Sequence, residues 1–313
     1  MSILSIILIC VLALIILFLI ICTINAVIAF YTPFRGQNDI YGAHGVPHIA
    51  NLARKVRDQV KKVALINYES CRTESFDGLM LHAKYYHKDD DAPIILLMHG
   101  YRGVPERDFC FVLPMLLENG YNVLMPDERG TGKSQGHAVT FGIKERKDVR
   151  TWIYYIIKRF GNDKKICLYG ISMGAASVLM ATELKLPDQV KCIVADCPYT
   201  APKEIIQKTC KRFKLPKAIS YALLKIGAFI YIRIDIDSSS PIEAVKHNDI
   251  PIQLIHGEED WFVPCYMSEE IRKNCFGYAE RYTFKGADHA FSSVVDLERY
   301  QLLVMDFLKR FLN

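Results

Sequence analysis

The chain has 313 residues, 51% hydrophobic and 23% charged, with a formal charge of +5 at pH 7. A positive charge this small and dispersed, with no recognition motif beside it, excludes nucleic acid as the partner. The first 30 residues are nearly all apolar and read as a separate piece; the about 280 that follow suffice for one large α/β domain with its own core.

Residues 3–22, ILSIILICVLALIILFLIIC, carry no charge, and the apolar run continues to Phe30. This covers the ~20 residues that a membrane-spanning helix needs. A secretory signal would have a basic start and an apolar centre of only ~7–15 residues. No Lys or Arg precedes this run, although VIA at 27–29 resembles a cleavage site, so removal of the segment stays open. Between residues 31 and 62 lie six basic residues (Arg35, Arg54, Lys55, Arg57, Lys61, Lys62) and two acidic ones, Asp39 and Asp58. The excess of positive charge on this side predicts a single-pass anchor over 1–30 with the following domain in the cytoplasm.

Residues 31–62 read as a connector with a helical stretch, IANLARKVRDQVKK, and 63–313 as the α/β domain. Apolar runs at 63–68, 80–86, 94–98, 122–126, 165–169, 190–195 and 251–255 read as strands. Helical patterns occupy 108–119, 144–160, 173–184, 266–275 and 293–312. Alternation of this kind predicts crossover units and a mostly parallel sheet. The first two runs are separated by CRTESFDG, whose Asp77-Gly78 signals an antiparallel hairpin at one sheet edge. About fifty residues, 199–248, then pass without a strand, an interval too long for a simple crossover. It holds a basic helical stretch near 202–213 and an apolar one near 217–232.

The stretch DERGTGKSQG, 127–136, suggests a phosphate-binding loop, but that loop needs a glycine where Asp127 stands. A carboxylate there puts negative charge where phosphate needs donors, so no nucleotide is expected.

In KICLYGISMGAAS, 165–177, a strand ends at Gly170, Ser172 follows, and Gly174 opens a helix of small residues. This is G-x-S-x-G in strand–turn–helix context, which lifts a serine hydroxyl above the sheet as a nucleophile. An ordinary turn serine is the competing reading. A hydroxyl nucleophile needs an imidazole base, and the imidazole needs a carboxylate to fix its tautomer, in the chain order Ser, acid, His. Downstream, IPIQLIHGEEDWFVP is a strand running into a loop with Asp260, preferred as the acid over Glu258 and Glu259. FKGADHAF, another strand and loop, supplies His289. For the oxyanion, the candidate donors are the backbone N–H of Met173, directly after the serine, and that of Tyr101 in the loop LLMHGYRG.

From about residue 63 to 312 the chain resembles the α/β-hydrolase superfamily: HGYRG, DERGTGKS, YGISMG, HGEEDWFVP and GADHAF match its landmarks in order. Within it the chain is similar to bacterial membrane-anchored hydrolases of the serine-aminopeptidase-like and acyl-esterase branch. The resemblance implies an α/β-hydrolase fold with a helical lid at about 199–248. It makes Asp127, Arg129, Gly130, Gly132 and Ser134 a structural loop after the fourth strand, with Lys133 at a variable position, and Asp196 a fallback acid. It implies a serine hydrolase acting on a small acyl ester, a thioester or a lipid-like substrate through an acyl-enzyme, attached to a membrane by residues 3–30. No metal or organic cofactor is expected, because the mechanism needs none. A peptidase with the same triad and a non-catalytic membrane scaffold are the alternatives. None of the ten cysteines forms a CxxC pair, so metal spacing is absent and a reduced compartment is the simplest reading; a Cys265–Cys275 bridge stays open.

Overall fold

A computed structural model describes residues 2–32 and 47–312. Arg35 and Asp39, and the part of the connector from 33 to 46, lie outside the described residues. The chain begins with helix α1, Ile3–Phe30, followed by α2, Pro47–Val63. Eight strands then alternate with helices: β1 Glu69–Glu74, β2 Met80–Tyr86, β3 Ile94–Met98, α3 Pro105–Asp108, α4 Val112–Glu118, β4 Asn122–Asp127, α5 Glu145–Phe160, β5 Ile166–Ile171, α6 Met173–Ala181 and β6 Val190–Asp196. After these come α7 Pro202–Arg212, α8 Lys217–Ile232, α9 Pro241–Ala244, β7 Ile252–Gly257, α10 Tyr266–Asn274, β8 Ala279–Phe284, α11 Ser292–Val295 and α12 Leu297–Leu312.

The strands form one sheet in the order β1-β2-β4-β3-β5-β6-β7-β8. β1 and β2 run antiparallel, as do β2 and β4, and every later pairing is parallel. Strands β3, β5 and most of β6 are buried on both faces, which is why they read as unbroken apolar runs rather than alternating ones. Alternate residues feed two cores. Ile95, Leu97, Cys167, Tyr169 and Val194 face α4 and α12, whereas Ile94, Leu96, Leu168 and Ile193 face α5 and α6.

The expected hairpin exists, but its first strand lies later than 63–68. Val63 ends α2, Ile66 packs on the α4–α12 core, and the strand is ESCRTE, 69–74. An edge strand has one neighbour and here buries only Cys71, so its residues stay polar and carry no apolar signal. Two expected helices differ in extent: 108–119 is shortened to α4, with the separate turn α3 ending at Asp108 before it, and 293–312 is divided into α11 and α12 at Asp296. Cys265 and Cys275 are both free thiols.

Helix α1 has no charged residue and is long and apolar enough to cross a membrane. Its side chains are largely exposed as far as Ile21; Cys22, Ala26 and Phe30, four apart on one face, are then buried. This buried stripe packs against α8, where the backbone of Gly227 meets the carbonyl of Cys22 and the Ala26 methyl so closely that no side chain fits.

Candidate active site

Ser172 sits between β5 and α6 with φ 57 and ψ −116, a conformation that L residues avoid. The turn is held because its amide donates to the Asp196 carbonyl at 2.8 Å. Small residues beneath it are obligatory: a Cβ on Gly170 would strike the backbone of Gly174, and one on Gly174 the carbonyls of Met98 and His99. These close approaches bring the end of β3 beside the serine, so that a Cβ on Gly100 would lie 3.5 Å from that of Ser172.

His289, in the loop after β8, lies 2.8 Å through Nε2 from the Ser172 hydroxyl and 2.7 Å through Nδ1 from Asp260 Oδ2. Three residues 117 and 29 positions apart thus form one hydrogen-bonded row across the carboxyl ends of β5, β7 and β8. Asp260 Oδ1 accepts from the amides of Phe262, at 2.9 Å, and Val263, at 2.7 Å, so the carboxylate is fully engaged and buried. Asp288 joins the two loops, its Oδ1 accepting from the amide of His289, at 2.7 Å, and from that of Trp261, at 3.4 Å. Burial alone would raise the Asp260 carboxyl, but His289 and His256 beside it hold it well below the usual range. Burial likewise acts to lower His289, yet the Asp260 carboxylate outweighs it and raises the imidazole above its ordinary 6.5. The less favoured acids lie elsewhere. Glu258 accepts from the Thr283 hydroxyl at 2.7 Å, and Asp196 from the Tyr300 hydroxyl at 2.8 Å, where burial pushes its carboxyl up to about 6.

The Met173 amide opens α6, among the N–H groups that a helix leaves unpaired. In the neighbouring loop the Gly100 amide donates to Asp108 Oδ2 at 2.8 Å, and Tyr101 follows it. His99, below, donates from Nδ1 to the Gly100 carbonyl at 2.8 Å and accepts at Nε2 from the Glu128 amide at 3.0 Å. Asp108 and His99 thereby set this loop; His99 opens the phrase HGYRG, whereas Asp108 is marked by no motif. Cys197 is a further residue that sequence reasoning passed over. Its ligand atom lies within 4.8 Å of those of Asp260 and His289, a set of types that zinc accepts. The latter two already bond each other, and burial pushes the Cys197 thiol well up, against the thiolate that a metal needs.

The loop 127–136 is filled from within. The Asp127 carboxylate accepts from the Lys133 amide at 2.8 Å and occupies the hollow over Gly132. Arg129 forks to Asp148, at 2.6 and 2.7 Å, and to Asp77, at 3.0 and 3.1 Å, tying β4 to α5 and to the β1–β2 hairpin.

Residues 93–215 match the model of the α/β-hydrolase-fold family. A relative, the uncharacterized protein YqkD of Bacillus subtilis, is 25% identical over 62% of the chain and 64% of its own length. A lysophosphatidylserine lipase, ABHD12 of Danio rerio, is 26% identical over 60% of the chain and 49% of its own. The chain therefore spans about two thirds or less of these curated relatives. Among solved structures, the esterase Pf2001 of Pyrococcus furiosus superposes with a TM-score of 0.63 at 25% identity, covering 81% of this chain and 96% of that one.

Proposed function

Because the chain belongs to the α/β-hydrolase superfamily, we propose that it is a serine hydrolase that cleaves acyl esters or thioesters of lipid-like molecules at a membrane. The observation that carries this reading is the unbroken hydrogen-bonded row from Ser172 through His289 to Asp260. In the reaction His289 Nε2 takes the Ser172 proton as Oγ attacks the carbonyl carbon. The amides of Met173 and Tyr101 receive the oxyanion. His289 then returns the proton to the departing alkoxide or thiolate, leaving an acyl-enzyme, and repeats the cycle with water. Asp260 keeps Nδ1 protonated and steadies the imidazolium. Each oxyanion donor is worth ~10²–10³ in rate.

The substrate class follows from the insertion between β6 and β7, which serves as the lid. Its tip, Lys211 to Lys217, reads KRFKLPK and is exposed throughout, and α8 continues it with outward Ile219, Ile226 and Phe229, the last 70% exposed. Bases interleaved with large apolar groups suit the headgroup boundary of an anionic bilayer, at ~1 kcal/mol per charge. The lid also meets the acid's loop: Lys208 Nζ donates to the Trp261 carbonyl at 2.8 Å, and Arg212 stacks 3.7 Å above its ring. Lipase and esterase relatives agree with an acyl substrate. An aminopeptidase would need a free lid carboxylate for the substrate's amine. Glu204 is bonded to Thr200, Asp235 and Asp237 to Lys225, and Glu243 to Lys246, so that reading is disfavoured.

The test is fluorophosphonate labelling of the full chain in detergent, with the modified peptide mapped and acyl esters of rising chain length compared with aminoacyl arylamides. Labelling at Ser172, abolished in Ser172→Ala, and preference for long acyl chains are expected. A folded protein that stays unlabelled with lipid present would favour the scaffold reading.

A further inference from the structure

A helix leaves its last carbonyls without intrahelical partners, and a membrane anchor normally surrenders them to water or headgroups. The end of α1 does neither. The Arg102 guanidinium donates to the carbonyls of Ile28, at 2.9 Å, and Tyr31, at 2.5 Å. The Tyr101 hydroxyl donates to that of Ala29 at 2.5 Å, and the Val139 amide to that of Phe30 at 2.9 Å. Four consecutive carbonyls at the anchor's end are thus taken by the globular domain, one pair of them by a cation placed where the helix dipole favours it. Aromatic packing seals the junction. The Tyr101 ring stacks on Phe141 at 5.1 Å, and Phe30 meets Phe141 edge-on at 5.5 Å. The Thr32 amide extends the contact by donating to the His137 carbonyl at 2.9 Å.

Both side chains that grip the anchor belong to the loop beside Ser172. Gly100, next to Tyr101, approaches the serine closely, and Arg102 is held with φ 49, a conformation that the surroundings must enforce. We propose that the last turn of α1 is a built part of the catalytic apparatus: it fixes the backbone of residues 100–102, with Tyr101 and Arg102 as positioning residues whose side chains aim the Tyr101 amide at the oxyanion. This rests on the serine-hydrolase reading. On that basis the anchor sets catalytic rate as well as location, and any tilt of α1 reaches the oxyanion loop through three hydrogen bonds.

The experiment compares full-length wild type, Arg102→Ala, Arg102→Lys and Tyr101→Phe in detergent, using a short water-soluble ester so that lipid access plays no part. Arg102→Ala and Tyr101→Phe are expected to lower kcat about tenfold, less than the ~10²–10³ of a lost donor, with KM within about twofold because ground-state binding is untouched. Ser172 labelling should slow in parallel, and Arg102→Lys should restore part of the rate. Unchanged kcat in both variants, or a fall that merely follows the fraction of unfolded protein by circular dichroism, overturns the proposal. Failure of the wild type itself to label would strike the hydrolase reading instead.

Discussion

At the residue scale the site depends on a small number of side chains whose chemistry follows from what surrounds them. Asp260 holds its charge while buried because two backbone amides and two imidazoles face it. Replacing it by Asn keeps the shape but lets Nδ1 become the acceptor, the wrong tautomer for a base. We expect Asp260→Asn to lower kcat by about 10³–10⁴, measured by steady-state ester hydrolysis. In the proposed reaction the raised His289 sets the pH profile. Catalysis needs the neutral imidazole, so kcat/KM should climb with pH along a limb centred above 6.5. In Asp260→Asn the carboxylate that does most to raise the imidazole is gone, which leaves burial opposed only by the weaker pull of Asp196 and Asp288, so the limb should move to lower pH. Ser172, Asp260 and His289 could be nominated from sequence because each follows a strand within a recognisable phrase. Asp108 and Cys197 could not. Asp108 matters through one hydrogen bond to Gly100, and Cys197 through contacts with loops more than sixty residues away.

At the element scale, the loop after β4 and the α1–α8 pair each show how a local sequence acquires its role from neighbours. Arg129 is buried with two carboxylates, and Asp148 is buried with it. Removing the guanidinium strands a charge in the core. Arg129→Ala should cost about 3–5 kcal/mol, seen as a lower denaturant midpoint with the slope unchanged. Gly227 is where α8 lies directly on α1. Any Cβ there meets the Cys22 carbonyl, so Gly227→Ala should cost about 1–3 kcal/mol by overpacking. The thermal midpoint should fall by several degrees, and trypsin should cut faster at the lid tip, Lys211 to Lys217, as α8 loosens. A midpoint equal to wild type would mean that the two helices do not pack this closely. The extents of α5, α7 and α8 agree with the sequence pattern to within a residue because each carries its own apolar face or basic run. Strand β1 was misplaced for the opposite reason, since an exposed edge strand is recognised by its partner and not by its composition.

For the whole molecule, about two and a half turns of α1, from Cys22 to Phe30, are spent on the domain, which leaves Ile3–Ile21 projecting, 19 residues. At ~1.5 Å per residue that is close to the ~30 Å hydrocarbon thickness. The domain is therefore expected to sit against the membrane face, with the lid tip beside it. The basic flank of the anchor predicts that this face is cytoplasmic. Protease added to intact cells should leave the domain whole, whereas inside-out vesicles should lose it; the reverse pattern would overturn the orientation.

What the sequence determined by itself was everything encoded locally or in order along the chain: an apolar N-terminal helix, alternating strands and helices, and a serine, an acid and a histidine each placed after a strand. Short-range sterics and periodicity are sufficient for these. The tertiary structure alone decided which carboxylate meets the imidazole, what fills the hollow over Gly132, and above all that the end of α1 is gripped by Tyr101 and Arg102 beside the serine. The grip on α1 joins residues 72 and 74 positions apart, and even the nearer pairs, Asp260–His289 at 29 and Asp127–Lys133 at 6, are set by the fold. Their partners are chosen by packing and by the need to satisfy buried polar groups, neither of which leaves a pattern along the chain.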